Sequence, residues 1–254
     1  MERSPLLDFF RRGEVARDVR LLAAQGAIAP RPMEQLGILM ILTADPDNDV
    51  RETAEGTLKL LPAEAIASFI ARADAPTELR EFFTKRGIPP SSTPAPDDEV
   101  PLIDKTAAVD TAQAADEDSQ TFTQRLANMT VPEKVKCAIK GTREMRAVLI
   151  RDPNRMVAAA VLSCPKVNEA EVESFARMGN VSEDILRTIA MNRAWTKNYG
   201  VTLSLVKNAK TPLAMSLTLM QRLSERDLKV LATDRNVPEA LRLAVKKKMS
   251  AAKH

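Results

Sequence analysis

The feature of this chain that most constrains its fold is an internal repeat of 56 residues in its second half. Residues 149–185 align with residues 205–241 without a gap. Self-similarity at a fixed period is typical of repeat proteins, in which each unit buries its apolar face only against its neighbours. The repeat predicts a class of architecture and no chemistry. The matched pairs are Leu149 and Leu205, Arg151 and Lys207, Ala158 and Ala214, Glu169 and Glu225, Val172 and Leu228, Ala176 and Ala232, Asn180 and Asn236, Val181 and Val237, Glu183 and Glu239, and Ile185 and Leu241.

A third, weaker copy of the same pattern occupies the first half of the chain. Residues 45–46 match residues 152–153 at an offset of 107, which also places Val50 on Val157. After one deletion the offset is 106, and apolar residues continue to fall on apolar residues at helical spacing. These pairs are Ile66 and Val172, Phe69 and Phe175, Leu79 and Ile185, and Phe83 and Ile189.

Apolar spacing and capping residues predict short helices of about ten to thirteen residues, paired into hairpins about every 26–30 residues. Thr130 and Glu133 form a capping-box pattern, which opens a helix that Gly141 closes. Another helix is predicted to start at Asn168, and Gly87 is predicted to be a C-terminal cap. Aromatic residues make up only 4% of the chain, which favours thin, closely packed helices over a large β core. We therefore predict an all-α fold, with close helix contacts at Ala158, Ala176, Ala214 and Ala232.

Charge and composition divide the chain into three parts. Residues 1–88 are predicted to form an N-terminal helical repeat module, and residues 120–254 a C-terminal one. Residues 131–254 carry 23 basic and 12 acidic side chains, so the second module is basic. Residues 89–119 are rich in Pro, Ala and acidic residues and nearly lack large apolar side chains, which predicts a disordered linker.

The loop sequences resemble those of known helical repeat proteins. The Asp-Pro-x-x-x-Val loops at residues 45–50 and 152–157 are similar to those of HEAT and armadillo-type repeats. The segments 150–154, 192–198 and 207–212 resemble those of uncharacterised bacterial proteins with such repeats. The resemblance implies an α-solenoid of short helical hairpins in two modules. It implies a scaffold and supplies no activity.

Catalytic motifs are absent from the sequence. The single histidine is His254, and the eight glycines form no phosphate-binding loop, so we expect no enzyme and no cofactor. Asp45, Asp47 and Asp49 alternate in one loop, but they lack the glycine and the glutamate of a calcium loop, so a helix cap is expected there and no metal. Cys137 and Cys164 have no paired spacing and are expected to be buried free thiols.

Two groups of residues are candidates for an interaction surface. Trp195 and Tyr199, with Arg193 and Lys197 nearby, would share one helix face, as an aromatic and basic patch for a peptide or nucleic acid. The alternative is that Trp195 fills a gap between hairpins and bonds a loop carbonyl through its N–H. Basic residues in or beside the loops between helices would line one edge of a stack; they are Arg151, Arg155, Lys207, Lys210 and Arg235.

The sequence therefore favours a protein–protein interaction scaffold, a cytoplasmic bacterial adaptor whose partner is another protein or an acidic peptide. The alternative is a nucleic-acid-binding solenoid that uses its basic C-terminal module. The longest apolar run, Met156–Leu162, is too short to span a bilayer, so no membrane is expected, and no small-molecule cofactor.

Overall fold

The computed structural model describes residues 5–28, 31–96, 102 and 119–251. In those residues all regular elements are helical and none is a strand, which confirms the all-α class. None of these helices is both long enough and apolar enough to cross a membrane. In chain order they are α1 (Pro5–Arg12), α2 (Arg17–Ala24), α3 (Pro32–Leu42), α4 (Asn48–Leu60), α5 (Ala63–Ile70), α6 (Thr77–Lys85), α7 (Ser119–Asn128), α8 (Val131–Lys140), α9 (Arg143–Leu149), α10 (Arg155–Ser163), α11 (Glu169–Arg177), α12 (Glu183–Met191), α13 (Arg193–Thr196), α14 (Tyr199–Lys207), α15 (Leu213–Leu219), α16 (Glu225–Leu231) and α17 (Glu239–Ala251), with a 3₁₀ turn at Met220–Arg222.

Helix boundaries follow the sequence repeat in all three copies. Helices α5, α11 and α16 begin at residues 63, 169 and 225, and α6, α12 and α17 begin at residues 77, 183 and 239. These starts are separated by the same offsets of 106 and 56 that align the sequences. The copies are therefore α3–α6, α9–α12 and α14–α17. Their stacking into a solenoid of the HEAT or armadillo type stays a prediction.

The predicted caps position several of these helices. The backbone N–H of Thr130 lies 2.7 Å from Glu133 Oε2, and the N–H of Glu171 lies 3.0 Å from Asn168 Oδ1. Each bond satisfies an amide that the first helical turn leaves without a partner. Gly87 follows α6 with a φ of 82°, the left-handed conformation that glycine adopts without strain after a helix.

By contacts between residues, the chain divides into two compact units. Unit 1 is Met1–Leu149 with Met156–Pro165, and unit 2 is Ile150–Arg155 with Lys166–His254. This division differs from the one based on charge, since α7 to α9 belong to unit 1, where α8 packs against α2. Most of residues 89–119 lie outside the described residues, and the three-part organisation stays a prediction.

The described part of the predicted linker lies against α5. The backbone N–H of Ser91 donates to Ala67 O at 3.0 Å, and that of Ala95 donates to Ser68 O at 2.8 Å. Arg72 Nη1 lies 2.8 Å from Pro96 O. The first residues of this segment are thus hydrogen-bonded to unit 1, and the predicted disorder of residues 97–101 and 103–118 concerns residues outside the described ones.

Arginine side chains hold the aspartate-rich loop of unit 1. Arg17 Nε lies 2.6 Å from Asp47 Oδ2 and its Nη2 lies 2.5 Å from Asp49 Oδ2, while Arg20 Nη1 lies 3.2 Å from the buried Asp45 carboxylate. The hydrogen bond from Arg17 lowers the pKa of Asp47, which also caps α4, as the sequence predicted. Guanidinium groups therefore occupy oxygens that a calcium ion would need.

Unit 2 contains three helical hairpins, α11–α12, α14–α15 and α16–α17, with α13 between the first two. Helices α11 and α14 lie side by side and point in the same direction. At their starts Asn198 Nδ2 lies 2.7 Å from Glu169 Oε2. At their ends Asn208 Nδ2 lies 2.8 Å from Ala176 O and 3.0 Å from Met178 O.

Candidate functional site

The hairpins give unit 2 two opposite edges. The base edge consists of α13 and the starts of α11, α14 and α16. The tip edge consists of the starts of α12, α15 and α17, the loops before them, and the loop before α10. Helix α14 connects the two edges, and its nine residues span about 12 Å.

The nine predicted surface residues are divided between these edges and form no single surface. The base edge carries Arg193, Trp195, Lys197 and Tyr199. The tip edge carries Arg151, Arg155, Lys207, Lys210 and Arg235.

At the base edge, Tyr199 links the second hairpin to the third. Its hydroxyl donates to Asp227 Oδ2 and accepts the backbone N–H of Ser224 at 3.1 Å. The hydrogen bond from Tyr199, followed by one from Ser224, lowers the pKa of Asp227. The phenol hydroxyl is therefore engaged inside unit 2, which favours a structural role for Tyr199 over binding of a partner.

Trp195 lies half-buried on α13, between the exposed side chains of Arg193 and Lys197. Asn192 caps this four-residue helix by accepting the N–H groups of Ala194 and Trp195. Among the described residues no carbonyl accepts the indole N–H, so the expected bond to a loop is not formed there. The wedge role and the patch role of Trp195 both stay predictions.

At the tip edge, the basic residues differ in their pairing. Arg155 Nη2 lies 2.7 Å from Asp184 Oδ2 at the start of α12, which places the loop before α10 beside that helix. Lys207, Lys210 and Arg235 are exposed, and within the described part of the chain no carboxylate lies within ion-pair distance of them. Lys207 nevertheless lies close enough to Asp227 of α16 for its charge to lower the pKa of that carboxyl, so the unpaired positive charge of the tip edge comes from Lys210 and Arg235.

The tip loops share one turn. A side-chain oxygen accepts the backbone N–H two residues later at Asp152, Asn208 and Asp234, with distances of 2.8, 3.0 and 2.9 Å. Asp45 does the same in unit 1 at 2.9 Å. Such turns form locally because Asp and Asn compete with backbone acceptors. The turns at Asp45 and Asp152 could be predicted from the proline that follows each aspartate. Asn208 and Asp234 are not followed by proline, and their turns were not predicted.

An open groove of about 680 Å³ lies at the tip edge, and we call it the tip groove. The start of α12 forms one part of its lining. The loop before α15, the first residues of α15 and Pro238, which precedes α17, form the rest. Leu213, the first residue of α15, is 41% exposed there. The lining residues are Ser182, Glu183, Ala209, Lys210, Thr211, Pro212, Leu213, Ala214 and Pro238.

The exposure of Leu213 is unusual among the three copies. Val50 and Val157, at the repeat position of Leu213, are both 0% exposed. Ala158 is buried, whereas its counterpart Ala214 is exposed, so the expected close helix contact at Ala214 is wrong. The third copy thus exposes Leu213 at a position that both other copies bury, and Ala214 at a position that the second copy buries.

The sequence itself contains one signal for this difference. Leu162 of α10 is buried, and the residue 56 positions later is Thr218 of α15, which is exposed. Thr218 lies one helical turn after Ala214, whose carbonyl accepts its hydroxyl at 3.0 Å. A polar residue at a position that is apolar in another copy indicates a helix face in contact with solvent. The face of α15 that carries Ala214 and Thr218 is therefore less apolar than the matching face of α10.

The comparisons with protein-family models, with curated proteins and with solved structures each found no match. In the described residues no group of three or more His, Cys, Asp or Glu side chains is arranged to hold a metal ion. Cys137 and Cys164 are buried and free, as expected, and burial raises the pKa of the Cys137 thiol. The candidate site is the tip groove, whose titratable lining residues are Glu183 and Lys210.

Proposed function

We propose that this protein is a non-enzymatic interaction scaffold and that the tip groove of unit 2 is where it binds a partner protein. The observation that carries the proposal is the exposure of Leu213 at a position that is fully buried in the other two copies. An apolar side chain in a concave, partly charged surface is a common feature of protein-binding sites.

The energetics favour a partner at this position. Leu213 is 41% exposed, so covering it contributes roughly 0.6–1.2 kcal/mol, its share of the 1.5–3 kcal/mol for burial of a whole leucine side chain. The prolines of the lining, Pro212 and Pro238, present rigid backbone, so little conformational entropy would be lost there on binding. Leu60 and Leu243 are also exposed, but neither lines the tip groove.

Affinity capture from an extract of the source cell tests the proposal. We expect at least one protein to be retained by the full chain and by Leu243→Ser, and to be lost with Leu213→Ser. Leu243 is the matched control, since it is 58% exposed in unit 2 but does not line the tip groove. Equal retention by both variants would contradict binding at this groove.

Nucleic acid is the second candidate partner. The exposed side chains of Lys207, Lys210 and Arg235 favour it, because phosphate contacts come mainly from such side chains. Three phosphate contacts predict a slope of about −3 for log affinity against log salt concentration, from about −0.9 for each contact. Fluorescence anisotropy with a labelled DNA duplex measures this slope, and the absence of binding at low salt would remove this candidate.

A further inference from the structure

We infer that the partner segment in the tip groove is an acidic peptide with an apolar anchor: one aliphatic or aromatic side chain on Leu213 and neighbouring carboxylates near Lys210. This inference rests on the proposed function and adds the chemistry of the occupant. Three properties of the groove lead to it.

The apolar part of the groove is small. Pro212, Leu213 and Ala214 supply it from the start of α15, and Pro238 supplies it from the residue before α17. Such a surface fits one side chain of a partner and not the broad apolar face of a second domain. A single buried anchor beside polar contacts is the usual arrangement when a short segment binds a groove.

The charge of the groove favours carboxylates on that segment. Glu183 lines the groove, but Arg187 Nη2 lies 2.8 Å from its Oε1. The next carboxylate, Asp184, is paired with Arg155 at 2.7 Å. Lys210 has no such partner among the described residues, so the unbalanced charge in the lining is positive. Complementary charge raises the rate of association and selects the partner.

One hydroxyl group in the lining can serve the backbone of a peptide. Ser182 is exposed before α12 and does not use its side chain as a cap. An extended peptide offers both N–H and C=O groups with which such a hydroxyl can bond. Thr211 Oγ1 has no hydrogen-bond partner among the described residues, but it is shielded from solvent and therefore from an occupant of the groove.

The same lining argues against nucleic acid in this groove. It contains no aromatic side chain on which a base could stack, and Lys210 is its only cation. Binding of a single strand usually combines a row of cations with stacking platforms. The groove therefore fits a peptide better than a nucleic acid.

Selection from a random dodecapeptide library displayed on phage tests the inference with the full chain. Parallel selections use Leu213→Ser and Lys210→Glu, with Leu243→Ser and Lys229→Glu as matched controls outside the groove. We expect peptides that bind the wild type and both controls and that lose about three- to eightfold in affinity on Leu213→Ser. These peptides should carry Leu, Ile or Phe next to Asp or Glu, and their affinity for Lys210→Glu should also fall at low salt.

Thermal melts of all four variants check folding, and the exposed positions predict unchanged melting temperatures. Peptides that depend on Leu213 but show no excess of acidic residues would overturn the inference and leave the proposed function intact. If no selected peptide depends on Leu213, the inference fails as well. In that case, capture of a cellular protein that requires Leu213 would show that the groove binds a folded surface. If neither a peptide nor a captured protein requires Leu213, the proposed function is rejected too.

Discussion

The hydroxyl of Tyr199 serves as both donor and acceptor between two hairpins of unit 2. It donates to the Asp227 carboxylate and accepts the Ser224 N–H, while Ser224 Oγ lies 2.8 Å from the same carboxylate. Hydrogen bonds to an ionised carboxylate are stronger than neutral ones. The bonds from Tyr199 and Ser224 therefore favour the ionised form of Asp227 and lower its pKa. Side chains of this kind fix the relative position of hairpins whose separate helices would be marginally stable.

Replacement Tyr199→Phe removes both bonds and should lower the free energy of unfolding by about 1 kcal/mol near neutral pH. The folded-state pKa of Asp227 lies below its usual 3.8, so this stabilisation is present above pH 3.8 and is lost as the pH falls through the folded value. Urea unfolding at several pH values should therefore show a difference between the two proteins that shrinks in acid. Asp227→Asn is the control that removes the titration, and a difference constant with pH would contradict this role of the carboxylate.

Asn208 provides a second test at the residue scale, because its buried amide donates to two backbone carbonyls at the end of α11. Asn208→Asp replaces that donor with a carboxylate facing two oxygens, and we expect a loss of about 1–3 kcal/mol in unfolding free energy. Asn180→Asp, at an exposed loop position, is the matched control and should change stability little. Equal effects in chemical denaturation would show that the Asn208 bonds contribute no net stability.

Helices α10 and α15 show what the repeat determines and what it leaves open. Both follow a tip loop and hold the same place in their copies, yet α10 is buried from Met156 to its end and α15 only in part. Repeat units bury surface only against neighbours, so the same helix position can lie in a core or at a surface according to what adjoins it. The exposure of α15 is therefore a property of its surroundings.

The same substitution at two equivalent positions tests this difference. Ala158→Leu should overpack a buried site and cost about 1–3 kcal/mol, whereas Ala214→Leu should change stability little, because Ala214 is exposed. Melting temperatures of the two variants measure the contrast. Equal destabilisation would show that the face of α15 is covered, and the tip groove would then not be open.

Helix positions, caps and copy boundaries could be predicted from the sequence, because periodicity and capping residues act locally. The Thr130 and Asn168 caps are examples. The tip groove could not be predicted, since it depends on which helix faces neighbours cover. Tyr199 illustrates the same limit: its spacing from Trp195 predicts a shared face, but its bond to Asp227 joins residues far apart in sequence.

In the whole molecule, the charge excess of residues 131–254 includes basic side chains on both edges of unit 2, which form no single basic surface. Total charge governs weak binding of any polyanion, whereas a specific partner depends on one site. The contribution of each edge to binding can therefore be measured by reversing charges on one edge at a time.

The double variants Lys210→Glu with Arg235→Glu and Arg193→Glu with Lys197→Glu change the net charge equally. Retention on heparin should fall by a similar amount in both, because it follows total charge. Binding of a captured partner should fall only in the first pair, which alters the tip edge. A partner lost only with the second pair would move the interaction site to the base edge.

Photo-crosslinking from residue 213 tests the central claim most directly. A photoreactive amino acid is placed at position 213 or, as the control, at position 243 of the full chain, which is then irradiated in an extract of the source cell. We expect a crosslinked protein at position 213 that is absent at position 243 and is the protein retained in affinity capture. The same crosslink from both positions, or a captured partner that crosslinks only from position 243, would contradict the claim that the tip groove is the binding site.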